Sequence, residues 1–279
     1  MGYLHIENLY RYPDILNEKR VIVQEKIHGT SAHIQRTVDG GLKFFSGGEK
    51  HDNFVALFQK GQFDNLLPGF TIYGEAYGGK QQGMSKTYGP NLKFIAFDLR
   101  GKDWAPFEEA LETVRVCGLE FVDWTECECT LERLNYERDL PSVQAKRNGI
   151  LEPKMREGIV IRPLVEKIDR FGNRLIAKHK NDAFRETKTP RNVGDDPMVF
   201  ADAVEVAKEW VTEERLNHVL DKNSFTQLSD IPALCAAMCE DIFREGSGEV
   251  EDNKPNRKAI GTATVHMFKR RIQNADPRS

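Results

Sequence analysis

No stretch of this 279-residue sequence approaches the run of about 18 apolar residues that a membrane-spanning helix needs. Residues 1–12 contain neither an apolar core nor a basic flank, so no secretory signal is predicted. We therefore expect a protein that works in the cytoplasm and makes no contact with a membrane.

Cysteine is scarce and poorly arranged for binding a metal. The sequence has five cysteines, an odd number. Cys127 and Cys129 form one close pair and Cys235 and Cys239 another, and neither has a second pair at the spacing of a zinc site. The sequence thus predicts free thiols, buried or partly buried, in a reducing compartment.

The chain also lacks an excess of positive charge, since its formal net charge is −3. This total hides a segregation of charge along the chain. Residues 154–192 carry a net +6, residues 199–253 a net −9, and residues 254–279 again a net +6. Basic blocks suit a partner rich in phosphate. For the last block, ordinary variation of surface charge explains the pattern equally well.

Short β-branched and aromatic runs dominate residues 20–100 and are typical of strands, whereas after Pro190 apolar residues recur at helical spacing. We therefore predict an α+β domain over residues 1–188 and a small all-α domain over residues 189–279. The predicted strands are 21–26, 32–38, 42–45, 70–76, 93–99, 158–163 and 174–180. The predicted helices are 106–118, 131–140 and 143–149, followed by three whose apolar faces run over 199–210, 231–242 and 260–268.

Turn and cap signals mark two of these boundaries. Asp39-Gly40-Gly41 lies between two predicted strands and is typical of a hairpin. Asp196 followed by Pro197 is typical of a helix start, and it predicts that the first C-terminal helix begins there.

Lys26 is the most informative residue. The run Val21–Lys26 brings a lysine to the end of a predicted strand, and a His28-Gly29-Thr30 turn follows. Lysine becomes a nucleophile when burial and nearby cations lower its pKa and free the amine. Gly29 would let the backbone approach a phosphate without a Cβ in the way. Taken alone, this short pattern is better explained as a strand that ends at a turn.

Four further runs follow Lys26 in a fixed order, and they change its interpretation. They are Phe-Thr-Ile-Tyr-Gly-Glu-Ala-Tyr-Gly-Gly at 70–79, Leu-Lys-Phe-Ile-Ala-Phe-Asp-Leu at 92–99, Glu-Gly-Ile-Val-Ile-Arg-Pro at 157–163 and Leu-Ile-Ala-Lys-His-Lys-Asn-Asp-Ala-Phe at 175–184. The series resembles the covalent nucleotidyltransferases, which include ATP-dependent DNA ligases, RNA ligases and mRNA capping enzymes. Within that group the chain looks most like the RNA ligase 2 family, whose members seal nicks in duplex RNA. The match covers about residues 20 to 186.

The resemblance implies an ATP-grasp-like nucleotidyltransferase domain with antiparallel sheets flanked by helices, followed by the helical domain. It implies three steps. A lysine attacks the α-phosphorus of ATP, AMP passes to the 5′-phosphate of a nucleic acid, and a 3′-hydroxyl then displaces AMP. Every step is an attack on phosphorus, so the site needs fixed positive charge and a metal, Mg²⁺ or Mn²⁺. The expected function is an ATP-dependent RNA ligase that seals 3′-OH/5′-phosphate breaks, with nicks in duplex RNA as the expected substrate.

The resemblance also assigns roles around the nucleophile. Lys26 matches the family's nucleophile and would carry AMP as a phosphoramidate. His28 would touch the phosphate or the leaving group, and the alternative is an ordinary turn histidine. The other motif residues would border the ATP: Glu25, Ile27 and Gly29.

Three more residues match positions that hold the nucleotide in the family. Glu75 would bind the ribose hydroxyls, because a carboxylate accepts two hydrogen bonds from a diol. Phe97 would stack on adenine, and a core position is the alternative. Glu157 would bind the metal near the α-phosphate, since Mg²⁺ keeps most of its waters and needs only one or two carboxylates. For both glutamates the alternative is an ordinary strand residue.

Lys178 and Lys180 are two residues apart on a predicted strand and therefore point the same way. Their ammonium groups repel unless an anion lies between them, and a triphosphate is such an anion. Their field would also favour the neutral amine on Lys26. We assign both a catalytic and an ATP-binding role, and the alternative is a solvated lysine face.

The contacts with nucleic acid are less well marked. Many ligases of this type carry an arginine about twenty residues past the nucleophile, whereas this chain has Ser46-Gly47-Gly48-Glu49-Lys50 there. Lys50, or backbone N–H groups of the Gly-rich turn, would take over its role, and the alternative is that this chain lacks the contact. In the last basic block, the candidate contacts are Arg257, Lys258, Arg270 and Arg271.

Two alternatives remain open. The first is a minimal ATP-dependent DNA ligase or a capping guanylyltransferase, although such enzymes usually carry a β-barrel domain where this chain predicts helices. The second is a catalytically inactive nucleic-acid-binding module of the same fold. The expected partner is RNA, as a nicked duplex or an RNA/DNA hybrid, bound by a monomer. The expected host compartment is the cytoplasm, which includes that of a host cell if the chain is phage- or virus-encoded.

Overall fold

The computed structural model describes residues 2–169, 172–196, 198–223 and 225–275. The chain divides into two compact units, one ending at Asn181 and the other beginning at Asp182. The sequence predicts two separate domains, residues 1–188 and 189–279. That these segments fold independently of each other stays a prediction.

The described residues of the first unit contain nine strands, which form two sheets. One sheet has five strands in the order β1-β9-β8-β2-β7, and the other has four in the order β4-β3-β5-β6. All neighbouring strands are antiparallel except β1 and β9, which are parallel. The strands are β1 (Glu7–Asn8), β2 (Arg20–Lys26), β3 (Thr30–Arg36), β4 (Leu42–Phe45), β5 (Thr71–Gly78), β6 (Leu92–Arg100), β7 (Trp124–Glu128), β8 (Gly158–Pro163) and β9 (Ala177–Lys180).

Helices flank these sheets in the same unit. They are α1 (His51–Val55), α2 (Ser85–Tyr88), α3 (Phe107–Val116), α4 (Leu131–Asp139) and α5 (Val143–Arg147), with 3-10 turns at Pro13–Asn17 and Gln81–Gly83. Phenylalanines and aliphatic residues of the four-stranded sheet, α1 and α3 form the main core, which includes Ile34, Phe54 and Val114. This arrangement confirms the predicted α+β class with antiparallel sheets flanked by helices.

The second unit is helical. It contains α6 (Ala203–Trp210), α7 (Glu213–Asn223), α8 (Ile231–Glu245) and α9 (Lys254–Ala275), with 3-10 turns at Asp182–Phe184 and Leu228–Asp230. Its own core holds Trp210, Leu216, Met238 and Phe268, all nearly inaccessible to solvent. The predicted small all-α region is therefore present after the sheets.

Buried ion pairs join the start of the second unit to its helices. Arg215 in α7 lies 3.4 Å from Glu186 and also pairs with Asp241 of α8. Arg191 lies 3.0 Å from both Glu209 and Glu249. The segment that follows Asn181 is thus part of the helical unit.

Several predicted boundaries need correction. The first C-terminal helix begins at Ala203, where the Asp202 side chain accepts hydrogen bonds from the N–H groups of Val204 and Glu205. Val199 lies outside the helix and is 76% exposed, so the predicted start at Asp196 is wrong, and Pro197 itself lies outside the described residues. The strand predicted over 174–180 covers only Ala177–Lys180.

The predicted hairpin and thiols are confirmed. Strands β3 and β4 pair antiparallel around Asp39-Gly40-Gly41, with the Thr37 N–H donating to the Gly41 carbonyl. All five cysteines are free, and four of them are buried. Among the described residues, no helix is long and apolar enough to cross a membrane.

Candidate active site

Sheet order brings the catalytic candidates together from distant parts of the sequence. Lys26 at the end of β2 pairs with Gly158 of β8, and Gly158 in turn pairs with Lys180 of β9. The three residues form one row across adjacent strands, and Glu157 directly precedes the row. The Nζ of Lys26 lies 2.8 Å from Oε2 of Glu157.

Gly158 is required for this row to form. Its φ is +154°, and a Cβ at this position would lie 2.3 Å from the carbonyl oxygen of His179. Any side chain would push β8 away from β9 and so separate Glu157 from Lys180. The Glu-Gly pair at the start of this motif therefore has a packing reason.

Glu157 is the centre of a cluster of cationic side chains. Its Oε1 lies 3.4 Å from Lys180, and its Oε2 lies 3.7 Å from Nδ1 of His28. Burial alone would raise the pKa of the Glu157 carboxyl, but the charges of Lys26 and of its other neighbours hold its pKa well below the usual range. Glu157 is therefore ionised at any pH at which the protein would work.

His28 lies on the other side of this carboxylate. Burial lowers the pKa of its imidazole, and the charges of Lys26 and Lys180 add to this effect, while Glu157 opposes it. The ring is therefore neutral at neutral pH. Its Nε2 lies 3.3 Å from Oε1 of Gln82, a residue with φ of +51°. Gln82 thus orients His28, and no motif in the sequence pointed to it.

Gly29 has a packing role that the sequence did not predict. A Cβ on this residue would lie 2.4 Å from the carbonyl oxygen of Ala76 and 2.9 Å from Cβ of Tyr77. The β2–β3 turn can pack against β5 only because Gly29 has no side chain. Its close approach is to a strand of the protein, and an approach to phosphate stays a prediction.

A cleft of about 230 Å³ opens beside Lys26. Most predicted nucleotide-binding residues line it together, although they come from four different strands and the turn after β2. The lining includes Glu25, Lys26, Ile27, Glu75, Phe97 and Lys178. The cleft lining does not include four of the predicted residues: His28, Gly29, Glu157 and Lys180. Glu157 contacts Lys26, which does line the cleft, and Glu157 also contacts His28 and Lys180.

The charges in and beside the cleft balance. Lys26, Lys178 and Lys180 contribute three positive charges, and Glu25, Glu75 and Glu157 contribute three negative ones. His28 is neutral. The repulsion expected between the two lysines of β9 is partly relieved by Glu157, which pairs with Lys180. A phosphate would therefore pair with individual lysines and not with a net positive field.

Glu25 also lines the cleft, but its side chain caps a helix. Its carboxylate accepts hydrogen bonds from the Ser142 hydroxyl and from the N–H groups of Val143 and Gln144, at the start of α5. Burial raises the pKa of this carboxyl, although these hydrogen bonds oppose the effect. Glu25 therefore ties β2 to α5, so that a contact with ATP would come from its backbone.

Phe97 is held by a network that the sequence did not reveal. The Tyr3 ring packs edge-on against Phe97 at 4.9 Å, and its hydroxyl donates to Asp98 at 2.7 Å. Arg162 and Arg174, both buried, pair with the same carboxylate. The N-terminal residues Tyr3, Leu4, His5 and Ile6 form one wall of the cleft. Nothing in the local pattern of residues 3–6 indicates this position.

The donor set fits a magnesium-type ion better than a fully protein-bound metal. The part of the chain that the structure describes has no group of three or more histidine, cysteine or carboxylate side chains placed to hold a metal. Magnesium commonly uses one or two carboxylates and completes its shell with waters and phosphates. The buried carboxylate of Glu157, next to Lys26, is the candidate for such a ligand.

The predicted contacts with nucleic acid lie elsewhere. Lys50 is exposed at the start of α1, next to a turn in which the Gly48 N–H donates to the Thr30 hydroxyl. In the helical unit, Arg257 pairs with Asp252 and Arg270 lies 3.0 Å from Glu213. Arg271 donates to Asn217, and Lys258 is exposed. Carboxylates thus offset two of these four cations.

A lysine held against a buried carboxylate, beside a cleft lined by Glu75 and Phe97 on an α+β scaffold, is the arrangement that the resemblance to nucleotidyltransferases predicts. The RNA ligase family profile matches residues 19–180 of the chain. The protein therefore belongs to the RNA ligase family. No curated protein matches the chain.

Solved structures support the same fold. An archaeal ATP-dependent RNA ligase is 18% identical with a TM-score of 0.51, and the match covers 98% of this chain and 65% of that one. A mutant RNA ligase from Naegleria gruberi, solved with ATP and Mn, is 16% identical with a TM-score of 0.50 over 66% of this chain and 57% of that one. The chain thus spans less than two thirds of either relative.

Proposed function

We propose that the protein is an ATP-dependent RNA ligase that acts as a cytoplasmic monomer and seals 3′-OH/5′-phosphate breaks, with nicks in duplex RNA as its substrate. The carrying observation is the 2.8 Å contact between Lys26 and Glu157 at the edge of a cleft that also contains Glu75, Phe97 and Lys178. The helices that follow the sheets favour an RNA ligase over a DNA ligase or a capping enzyme, which usually carry a β-barrel domain there. The inactive module is also the less favoured alternative.

In the first step the Lys26 amine attacks the α-phosphorus of ATP, and the P–O bond to pyrophosphate breaks. The Lys26 proton must leave before the attack. Glu157 is the nearest base, but its depressed pKa makes it a weak one. We therefore assign Glu157 an electrostatic role, and the proton leaves to solvent or to a phosphate oxygen of the bound ATP before the attack.

The other residues bind and orient the nucleotide. Glu75 accepts hydrogen bonds from the ribose hydroxyls, and Phe97 stacks on the adenine. Lys178 and Lys180 stabilise the negative charge that develops on the phosphates. His28, whose single N–H as a neutral ring faces Oε1 of Gln82, touches the phosphate or the leaving group without donating to it. Mg²⁺ or Mn²⁺ held by Glu157 would neutralise phosphate charge at the same place. Solved relatives with ATP and Mn and with AMP and Mn support this choice of cofactors.

In the later steps AMP moves from Lys26 to the 5′-phosphate of the RNA, and the 3′-hydroxyl then displaces AMP to form the phosphodiester. Lys50, together with Arg257, Lys258, Arg270 and Arg271, is proposed to hold the phosphate backbone. Of these, Lys50 and Lys258 are exposed without a carboxylate partner among the described residues, which suits contact with phosphate.

Incubation with α-labelled ATP and Mg²⁺ tests the first step. The wild-type chain should form a covalent AMP adduct, and Lys26→Ala should form none. Lys19→Ala is the matched control, because Lys19 is exposed immediately before the same strand. An adduct on Lys26→Ala would place the nucleophile elsewhere, and labelling by GTP instead of ATP would favour a capping enzyme.

Single substitutions test the assigned roles. Glu75→Ala, Glu157→Ala, Lys178→Ala and Lys180→Ala should each slow adduct formation by about 100- to 1000-fold, since the loss of one preorganised charge costs about 3–4 kcal/mol of transition-state stabilisation. The rate of labelling under single-turnover conditions measures this. Near-normal rates in two or more of these variants would refute the site assignment.

Sealing rates on four nicked duplexes, with RNA or DNA on each side of the nick, test the substrate. We expect fast sealing only where the ends on both sides of the nick are RNA. Equal rates on all four substrates would refute the preference for RNA, and fastest sealing of DNA ends would favour a DNA ligase.

A further inference from the structure

An aromatic pair lies on the four-stranded sheet close to the nucleotide cleft. Phe45 of β4 is registered opposite His33 of β3, and their rings stack 4.8 Å apart at an angle of 22°. His33 is only 8% exposed, whereas Phe45 is 48% exposed. One ring of the pair is thus covered by its neighbours, and the other is open to solvent.

This pair shares a face of the sheet with the cleft. Ser31 and His33 are two residues apart on β3, so their side chains point the same way. Ser31 is registered opposite Glu75 and His33 opposite Tyr73, which places all four on one face. Ser31 and Glu75 line the cleft. The Phe45–His33 pair therefore occupies the next row, about 7 Å farther along the strands.

Lys43 adds a positive charge to this face. It is exposed, lies two residues before Phe45 on β4, and is registered opposite Gln35. Burial lowers the pKa of His33 to about 4, so that His33 is neutral, and Lys43 is a cation two residues from Phe45 on the same face of β4. An open aromatic ring beside a cation is the combination with which proteins bind a base and its phosphate.

We infer that Phe45, backed by His33, stacks on an RNA base that flanks the break, while Lys43 pairs with the adjacent phosphate. This inference rests on the proposed function, because it requires an RNA end to enter the cleft beside Lys26. A contact between Phe45 and His33 that served only the hairpin would stabilise β3 and β4 without affecting RNA. A substitution of Phe45 would therefore change RNA binding if the ring stacks on a base, and only the stability of the hairpin if it does not.

Equilibrium binding of nicked RNA duplexes with 2-aminopurine on either side of the nick tests the inference. The wild-type protein should quench the fluorescence of one of the two positions. Phe45→Leu keeps an apolar side chain without a π face, and it should abolish the quenching and weaken binding by about 5- to 150-fold. Phe45→Tyr should retain both. Tyr136→Leu is the control, because Tyr136 is an exposed aromatic of α4 that also has an arginine over its ring.

A base-free substrate separates recognition from stability. Removing the flanking base should weaken binding to the wild-type protein but not further weaken binding to Phe45→Leu. Circular dichroism checks that each variant is folded. The inference is overturned if Phe45→Leu binds like Tyr136→Leu, or if removal of the base costs the same affinity in Phe45→Leu as in the wild type. Such a result leaves the proposed function intact, whereas the absence of an AMP adduct on the wild-type chain would reject the proposed function without reference to Phe45.

Discussion

At the scale of single residues, Glu157 determines the electrostatics of the site. It is buried, yet it remains ionised because Lys26 and Lys180 lie within 3.4 Å of its oxygens. His28 lies next to the same carboxylate and is neutral. The pKa of the His28 imidazole therefore depends on the charges of Glu157 and the two lysines. This pKa can be measured without measuring catalysis.

We predict opposite shifts of the His28 pKa in two variants. Lys26→Ala removes a repelling cation and should raise the pKa, whereas Glu157→Gln removes an attracting anion and should lower it further. NMR titration of the imidazole signals measures both shifts. His33, whose pKa of about 4 reflects its own burial, serves as the internal reference. Shifts in the same direction in the two variants would contradict the geometry described around Glu157.

The same pKa has a consequence for stability. The folded state disfavours protonated His28, while the unfolded chain accepts a proton near the ordinary value of 6.5. The contribution of His28 to the free energy of unfolding is therefore complete above pH 6.5. It is lost progressively as the pH falls from 6.5 towards the lowered value.

At the scale of elements, strong periodic patterns of apolar residues were sufficient to predict strands and helices, whereas weak patterns were not. The strands that carry Lys26, Glu75 and Phe97 were predicted from β-branched and aromatic runs, to within two residues at each end. Strand β7 was missed because only one of its five residues is buried. Helix α7 was missed because Arg215 lies on its buried face and interrupts the apolar stripe.

The candidate site shows the same division. Residues that sit in motifs were predicted, and the structure places most of them around one cleft. Tyr3 and Gln82 could not be predicted in this way, because their contacts join positions 95 and 54 residues apart in sequence. Local propensity contains no information about such contacts. The packing reason for Gly29 was missed for the same cause, since the contact is with β5.

We predict that Arg215→Leu will strongly destabilise the helical unit. Arg215 is buried, and its removal takes a buried cation away from both Asp241 and Glu186, although Arg244 still lies beside Asp241 and His218 beside Glu186. The expected loss is about 3–5 kcal/mol in the free energy of unfolding. Hydrogen exchange of amides in α7 and α8 measures this locally. Arg20→Leu, which breaks an exposed pair with Glu126, should leave the free energy of unfolding of its own unit almost unchanged. Equal effects of the two substitutions would show that the Arg215 pairs contribute little.

At the scale of the whole molecule, the residues proposed to bind ATP and most of the cations proposed to bind nucleic acid lie in different segments of the chain. Every residue proposed to touch ATP precedes Asn181, and four of the five cations proposed to hold the phosphate backbone lie in α9. The segment after Asn181 is joined to the helical unit through Glu186 and Arg191. A chain that ends at Asn181 therefore removes the helical unit as one piece.

The last prediction compares the full chain with residues 1–181. The shorter chain should still form the AMP adduct, because the ATP-binding residues are complete. Its binding to nicked duplex should depend less on salt, since each lost phosphate contact reduces the slope of log affinity against log salt by about 0.9 on a B-form duplex. Within the full chain, Lys258→Ala should reduce the slope by about that amount, and Arg257→Ala by less, because Asp252 already offsets the charge of Arg257. Binding titrations between low and moderate salt measure these slopes. Equal slopes for the full and the shortened chain would show that the helical unit does not hold the nucleic acid and that its role lies in stability or in another partner.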